Sequence, residues 1–269
     1  SYLLERREEY PADLPDGVLI LTAGVDVQDD RLEYEIVGWG KGEQSWGIEY
    51  GIIMGKPDQD STWQMLSDKL DTVWRFENGL GLKVACTFVD SGGHYTSEVY
   101  KFCKANEYRK IFAIKGKGGP GYPLIYSKGR SKKENCLYFV LGVDGGKAKI
   151  LSRLSIKQPG DGYCHFPLDE KRGYDQTYFK GLFSERPRHK KVNGQIKVVW
   201  EKIGGANRRN EPLDVRNYAQ AALALLPVNF DALEKRLKSM APGSEYATNT
   251  AQKQPQKRKY GVVNRGIRV

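Results

Sequence analysis

Apolar residues recur at two different periods along this chain, and the period assigns the elements. From Val18 to Val27 the chain alternates and ends on a polar step; Gln28, Asp29, Asp30 and Arg31 make a turn, and Leu32, Tyr34 and Ile36 resume a period of two. Trp46, Ile48, Tyr50 and Ile52 repeat it after a glycine-rich turn, which predicts three antiparallel strands in a meander. The spacing then becomes helical. Ser61 with Gln64 three positions on is a capping-box signature, followed by Trp63, Leu66, Leu70, Val73 and Trp74, with Asn78 to Gly81 as the stop.

Lys83 to Val89 is short and almost continuously apolar, the pattern of a central strand covered on both faces, and it ends at Asp90-Ser91-Gly92-Gly93. Ser97 to Asn106 predicts a helix with Val99, Phe102 and Cys103 inward, and Ile111 to Ile114 the next strand, reached by a right-handed crossover. A basic, glycine-rich loop follows. Leu137 to Val143 predicts another strand, with Asp144 as cap of a helix carrying Ile150, Leu151 and Leu154. Asn193-Gly194, between Lys191-Val192 and Ile196 to Trp200, is the strongest hairpin signal, because a type I′ turn needs positive φ at both central positions. Asn210, Glu211 and Pro212 open a last helix whose stripe is Val215, Ala219, Ala222, Leu223 and Leu226, ending at Pro227. The sum is an α/β fold: a mixed sheet of three antiparallel strands and then parallel strands, with helices on both faces.

A length of 269 residues fits one large domain or two small ones. No stretch approaches the roughly 18 consecutive apolar residues of a membrane span, and the opening segment, with Glu5, Arg6, Arg7, Glu8 and Glu9, has no signal-peptide apolar region. A membrane or secreted protein is therefore not expected. Cys86, Cys103, Cys136 and Cys164 form no CxxC pair and have no histidine at zinc-finger spacing, so reduced thiols in a cytosolic compartment are expected.

Charge changes the picture more. The formal net charge is +10, and between Lys101 and Lys157 fourteen basic residues face three acidic ones, so the rest of the chain is close to neutral. Interleaved with Tyr122, Tyr126 and several glycines, this stretch suits a polyanion, since each neutralised phosphate releases condensed counterions; a solvated basic face fits the charge equally well. From Met240 onward apolar periodicity stops and six basic residues face one acidic, a composition that cannot offset its ordering entropy alone.

His94, His165 and His189 are widely separated and no GxSxG elbow accompanies them, so the sequence gives no support to Ser/His or Cys/His nucleophilic catalysis. Gly146-Lys147 fails as a phosphate loop, because Ala148 follows it and Leu141 stands where the first glycine belongs. Three carboxylates are better placed. Asp26 interrupts an apolar strand, Asp90 closes a buried strand at its carboxyl edge, and Asp214 sits in the first turn of an apolar helix. Singly, Asp26 also fits a solvent-facing strand end, Asp90 a turn former and Asp214 a complement to the helix dipole. Where the first and fourth strands are neighbours, Asp26 and Asp90 converge, and a helix packed across them adds Asp214. Buried carboxylates are costly unless paired or metal-bound, and an all-oxygen set favours hard cations, Mg2+ or Mn2+. Two such ions activate water and stabilise the leaving oxygen of a phosphodiester.

Five segments occur in an order that resembles a known family: Ala23-Gly24-Val25-Asp26-Val27-Gln28 with Trp39 after it, Phe88-Val89-Asp90-Ser91-Gly92-Gly93, Phe112-Ala113-Ile114-Lys115-Gly116, His165-Phe166-Pro167, and Arg209-Asn210-Glu211-Pro212-Leu213-Asp214. They are similar to the C-terminal nuclease domain of the large terminase subunit of tailed double-stranded DNA phages, in its lambda-like branch, and span about residues 18 to 227. The resemblance implies a ribonuclease H-like fold with two metal ions on Asp26, Asp90 and Asp214. It leaves Glu211, one helical turn earlier, as an outer ligand, a water-orienting group or an ordinary helix-start residue. Lys115 is a candidate contact to the scissile phosphate, and Lys117, Lys128, Arg130, Lys132 and Lys133 join it as candidate DNA-binding residues.

The domain organisation expected is a linker remnant over 1–17, the nuclease domain over 18–235 and a flexible basic tail over 236–269. The family's full-length protein also carries an N-terminal packaging ATPase. This chain has no Walker motif and does not begin with Met, so a fragment holding the nuclease domain alone is expected. The resemblance implies that the whole protein cuts concatemeric viral DNA and pumps it through a portal in the host cell cytoplasm, with the portal protein and the small terminase subunit as partners and the tail facing the portal. Three functions stay open. One is a metal-dependent endonuclease on double-stranded DNA with little sequence preference. The second is a catalytically silent DNA-binding and portal-docking module, and the third a resolvase-like nuclease on branched DNA.

Overall fold

Strand β1 (Ile20–Val27) is buried along almost its whole length because it lies inside a sheet covered on both faces. It pairs antiparallel with β2 (Arg31–Trp39), which pairs antiparallel with β3 (Ser45–Met54), the expected meander. On its other side β1 runs parallel to β6 (Val84–Asp90), followed in parallel by β7 (Ile111–Lys117) and β9 (Leu137–Gly142). The two-residue β10 (Cys164–His165) extends the β3 edge, and β8 (Ile125–Arg130) closes the other edge antiparallel to β9. The computed structural model describes residues 2–246. Its mixed sheet, three antiparallel strands and then parallel ones with helices on both faces, is the ribonuclease H-like arrangement expected from the sequence.

Side chains of β1 alternate between the faces, as strand geometry requires. Leu21, Ala23 and Val25 pack against Leu66 and Leu70 of α2 (Asp60–Leu70) and Val99 of α3 (Thr96–Ala105). Thr22, Gly24 and Asp26 point the other way, under α6 (Glu211–Leu225). There the Thr22 hydroxyl donates to the Ala219 carbonyl at 2.7 Å. A Cβ on Gly24 would stand 2.0 Å from the Val215 carbonyl oxygen, so only glycine lets the α6 backbone lie this close. Inside the fold a buried ion pair joins α6 to β2: Arg216 Nη1 lies 2.7 Å from Glu35 Oε1, and the Tyr178 and Tyr174 hydroxyls donate to the same oxygen at 2.8 and 3.2 Å. Helix α4 (Val143–Leu154) and α5 (Gln176–Leu182) flank α6. The hairpin at Asn193-Gly194 forms as predicted from β11 (Glu185–Val192) and β12 (Gln195–Lys202), with positive φ at both turn residues. The four cysteines are free and buried, and among the described residues no helix is long and apolar enough to cross a membrane.

Several expectations fail for identifiable reasons. Helix α2 begins at Asp60, so Ser61 lies inside it and makes no cap, while Gln64 bonds Asp68 instead. Trp74 does not continue the helix. It is buried in β4 (Trp74–Arg75), paired with β5 (Gly81–Leu82), and a helical spacing of apolar residues cannot by itself tell a continued turn from a reversal. Asp144 is no cap either; it sits in the first turn of α4 and accepts from the Gly119 amide at 2.7 Å. Part of the basic glycine-rich stretch is strand β8, whose single pairing partner leaves little apolar pattern to read.

The segment expected as a linker over 1–17 is packed onto the domain. Leu3, in the short helix α1 (Tyr2–Glu5), and Leu14 are buried, Arg6 donates to the Ile156 and Cys164 carbonyls at 2.7 and 3.0 Å, and Glu8 bonds Phe166 and Leu168 through its backbone. The 235/236 boundary falls within α7 (Phe230–Ser239), after which β13 (Glu245–Tyr246) pairs with β5. The remainder of the expected tail lies outside the described residues.

Candidate active site

Register brings the first two carboxylates together. Val25 of β1 is level with Val89 of β6, so the next residues, Asp26 and Asp90, stand side by side at the carboxyl edge of adjacent parallel strands, which lie about 4.8 Å apart. Both lie on the α6 face: Asp26 shares the parity of Gly24, and Asp90 that of Cys86 and Phe88, which pack against Tyr218 and Ala221. Helix α6 crosses these strand ends, lowered onto β1 by Gly24, and its first turn delivers Asp214. Asp26, Asp90, Asp214 and Tyr218 line one cavity of about 510 Å³, joined by Lys147, Gly116 and the turn residues Gly92 and Gly93. Size does not select this site. A larger cavity of about 680 Å³ beside Leu19, Trp46 and Leu237 has Glu234 neutralised by Lys41 and Lys238 at its rim.

Each carboxylate is held by its surroundings. Asp90 Oδ1 accepts from the Gly92 amide at 2.9 Å, and Tyr218 hydrogen-bonds its carboxylate. The Asp-Ser-Gly-Gly turn is thus both the end of a strand and a cradle for its own side chain. Asp26 accepts from Gln28 Nε2, and Asp214 Oδ2 accepts from Asn210 Nδ2 at 3.0 Å. Burial pushes the Asp26 carboxyl up to about 7, with the charges of Asp90, Asp214 and Glu211 adding to it and the Gln28 bond opposing it. Burial raises Asp214 to about 6 against the pull of Lys147, and burial also raises Asp90.

Three residues of the site were missed in the sequence: Tyr218, Lys147 and, behind the lysine, Glu185. Lys147 Nζ lies 2.6 Å from Glu185 Oε2 and 3.4 Å from Asp214 Oδ1, a buried ammonium held charged by both carboxylates; Asn210 donates to the other Glu185 oxygen at 2.6 Å. The only sequence signal was Gly146-Lys147 itself. It fails as a phosphate loop, but a Cβ at Gly146 would meet Asn217 Oδ1 at 2.0 Å, so this glycine allows α4 to close on α6 and aim the lysine.

Other candidates lie elsewhere. Lys115 follows Ile114, which is level with Asp90 in the parallel register, so its side chain emerges on the opposite face, over the rings of Tyr138 and Tyr100 at 4.9 and 5.9 Å. Glu211 turns away from the cavity to Arg31, at 3.2 Å, and Arg209, at 3.7 Å. Lys117 stacks on Tyr122 and Tyr126, and Arg130 is bound by Glu107 at 3.2 Å. Lys128, Lys132 and Lys133 are exposed near the β8 edge.

Among the described residues, no three His, Cys, Asp or Glu groups are already drawn together as a ready-made metal site. The three carboxylates nevertheless fit a hard divalent cation by donor type. They are all oxygen, line one cavity and resist ionisation because desolvation opposes their charge, with Lys147 the one cation among the cavity-lining residues.

Fold and site together define an α/β protein of the ribonuclease H-like class with a carboxylate-lined cavity at the carboxyl edge of its sheet. The chain belongs to the family of the terminase large subunit gpA, endonuclease domain, whose family model matches residues 1–237. It is 35% identical to the terminase large subunit of Escherichia phage lambda over 228 residues, which is 83% of this chain and 35% of that protein. With the terminase large subunit of Enterobacteria phage P21 it shares 27% identity over 226 residues, 82% of this chain and again 35% of the relative. The chain thus spans about a third of the length of these relatives. Among solved structures it is similar to a mutant nuclease domain of the large terminase subunit gp2 of bacterial virus Sf6 with manganese, at a TM-score of 0.48 and 13% identity, over 84% of this chain and 97% of that one.

Proposed function

We propose that this chain is a metal-dependent endonuclease that hydrolyses phosphodiester bonds of double-stranded viral DNA during genome packaging, with Asp26, Asp90 and Asp214 holding two Mg2+ or Mn2+ ions. The observation that carries this reading is the convergence of three carboxylates, Asp26 buried and Asp90 and Asp214 half-buried, from two strands and a helix far apart in sequence, on one cavity. Bound there, a pair of divalent cations supplies the charge that makes water nucleophilic and stabilises the leaving oxygen. The chain's own groups do the positioning. The Gly92 amide and the Tyr218 hydroxyl fix Asp90, Asn210 fixes Asp214, and Lys147 keeps Asp214 ionised where burial opposes it. Under this reading the partners are the duplex, the packaging ATPase part of the whole protein, the portal and the small subunit, and the place of action is the host cell cytoplasm.

Supercoiled plasmid incubated with Mg2+, Mn2+ or EDTA tests the proposal, comparing the parent with Asp26→Asn, Asp90→Asn and Asp214→Asn, each checked for folding by circular dichroism. Nicking or linearisation that needs a divalent ion and falls at least about 100-fold in each folded variant is the expected result, the scale of losing a group that acts in the transition state. A parent inactive with both metals, or variants that cut as fast as the parent, would overturn it.

A further inference from the structure

The β11–β12 ribbon stands outside everything assigned so far. It forms a two-stranded sheet of its own, paired from Glu185↔Lys202 to Val192↔Gln195, and shares no strand with the eight-stranded sheet. Residues 186–191 are all exposed. A lone hairpin is marginally stable in water, and this one is weakened further, because Lys190 is directly opposite Lys197 and like charges across a strand pair repel. One face carries Arg186, Arg188, Lys190 and Lys197 against the single acid Glu201, which pairs with Lys190. Such a row is complementary to a dense array of negative charge.

The root of the ribbon says which array. Its first residue is Glu185, whose two oxygens accept from Lys147 and Asn210, both of which also bond Asp214, and the Ile203 amide closes the base on the Ser184 carbonyl at 2.7 Å. The arm therefore leaves the domain one side chain away from the carboxylate cavity. Eight residues of strand reach about 26 Å, and a two-stranded ribbon is one of the shapes that the major groove of duplex DNA admits.

We infer that the β11–β12 ribbon is a DNA-gripping arm, which holds the duplex beside the cavity through phosphate contacts of Arg186, Arg188, Lys190 and Lys197. The inference rests on the nuclease reading for its substrate but concerns binding, so it is tested without cleavage. A fluorescent duplex is titrated in EDTA at several salt concentrations with the parent, with Arg188→Gln/Lys190→Gln/Lys197→Gln, and with an equal-charge control, Lys56→Gln/Lys157→Gln/Lys171→Gln. The ribbon variant is expected to bind at least about 10-fold more weakly than the control, with the slope of log affinity against log salt reduced by about 2 to 3, near 0.9 per lost phosphate contact. A second variant, Lys190→Gln/Lys197→Gln, removes the cross-strand repulsion together with the exposed Lys190–Glu201 pair, two small and opposite effects, so it is expected to melt close to the parent while still binding DNA more weakly. A merely structural ribbon would not lose binding while keeping its stability. Affinity and salt slope equal to the control in either variant would overturn the inference and leave an acidic protein surface as the arm's partner. Weakened binding by the ribbon variants, beside a parent that never cuts plasmid, would sink the nuclease reading and leave the arm standing.

Discussion

Asp26 shows what burial does to a single residue. Its carboxyl is raised from an ordinary value near 3.8 to about 7, first by burial. Below about pH 4 it is protonated in the folded and unfolded chain alike. As pH rises to about 7 the unfolded chain ionises while the fold resists, so this residue's contribution to stability is lost over that window and stays lost above it. In the absence of divalent ions, Asp26→Asn is therefore expected to match the parent near pH 4 and to be more stable by about 2 to 4 kcal/mol near pH 8, since each tenfold change in proton affinity is worth about 1.36 kcal/mol. Urea unfolding at the two pH values measures it, and equal stability at both would contradict the account. Asp26 and Asp90 were legible as candidates only together: singly each also fits a strand-end or turn residue, but two carboxylates at the same edge of neighbouring apolar strands converge. Lys115 was misjudged for want of parity alone: Ile114 shares the Asp90 face, and the adjacent residue must leave on the other side.

At the scale of elements, the site depends on how low α6 rides over β1. Gly24→Ala forces a methyl to within 2.0 Å of the Val215 carbonyl, which only a shift of the helix relieves. A loss of about 2 to 3 kcal/mol is expected, the upper part of the range for overpacking, together with loss of cleavage because Asp214 moves with the helix. Thermal melting and the plasmid assay check both halves. The Arg216–Glu35 pair fixes the same helix from its next turn. Arg216→Met leaves Glu35 buried without its cation, among tyrosine hydroxyls, and is expected to cost about 3 to 5 kcal/mol in urea unfolding near pH 8. The β11–β12 hairpin was readable because Asn193-Gly194 sets its turn locally, whereas the end of α2 was not, since Trp74 satisfies a helical spacing while its backbone reverses.

For the whole molecule, the proposed metal site would couple folding to cation binding, because its carboxylates crowd negative charge into one desolvated cavity. Mg2+ or Mn2+ is expected to raise the melting temperature, more at pH 8 than near pH 5.5, because protons compete for Asp26 and Asp214 in that range. Calorimetry with and without EDTA measures this, and Asp26→Asn should abolish most of the rise. A divalent effect independent of pH and of Asp26 would place the binding elsewhere. The packed 1–17 segment belongs to the same scale. Arg6, Leu3 and Glu8 bond or bury against residues around Leu154 to Leu168, so removing this segment is expected to destabilise the domain rather than trim a linker.

By itself the sequence determined the meander, the buried fourth strand, the hairpin and the last helix, because hydrophobic period and turn chemistry act over a few residues. It also determined that three aspartates stand at strand and helix ends. Only the tertiary structure decided which groups share the cavity. Lys147 enters it through the crossing of α4 and α6, with Glu185 at the start of β11 holding it from behind, and Lys115 and Glu211 leave it through strand parity and the Arg31 and Arg209 ion pairs. The physical reason is that contact between distant segments depends on register, face and crossing distance. These are fixed by packing that no local window of the chain contains.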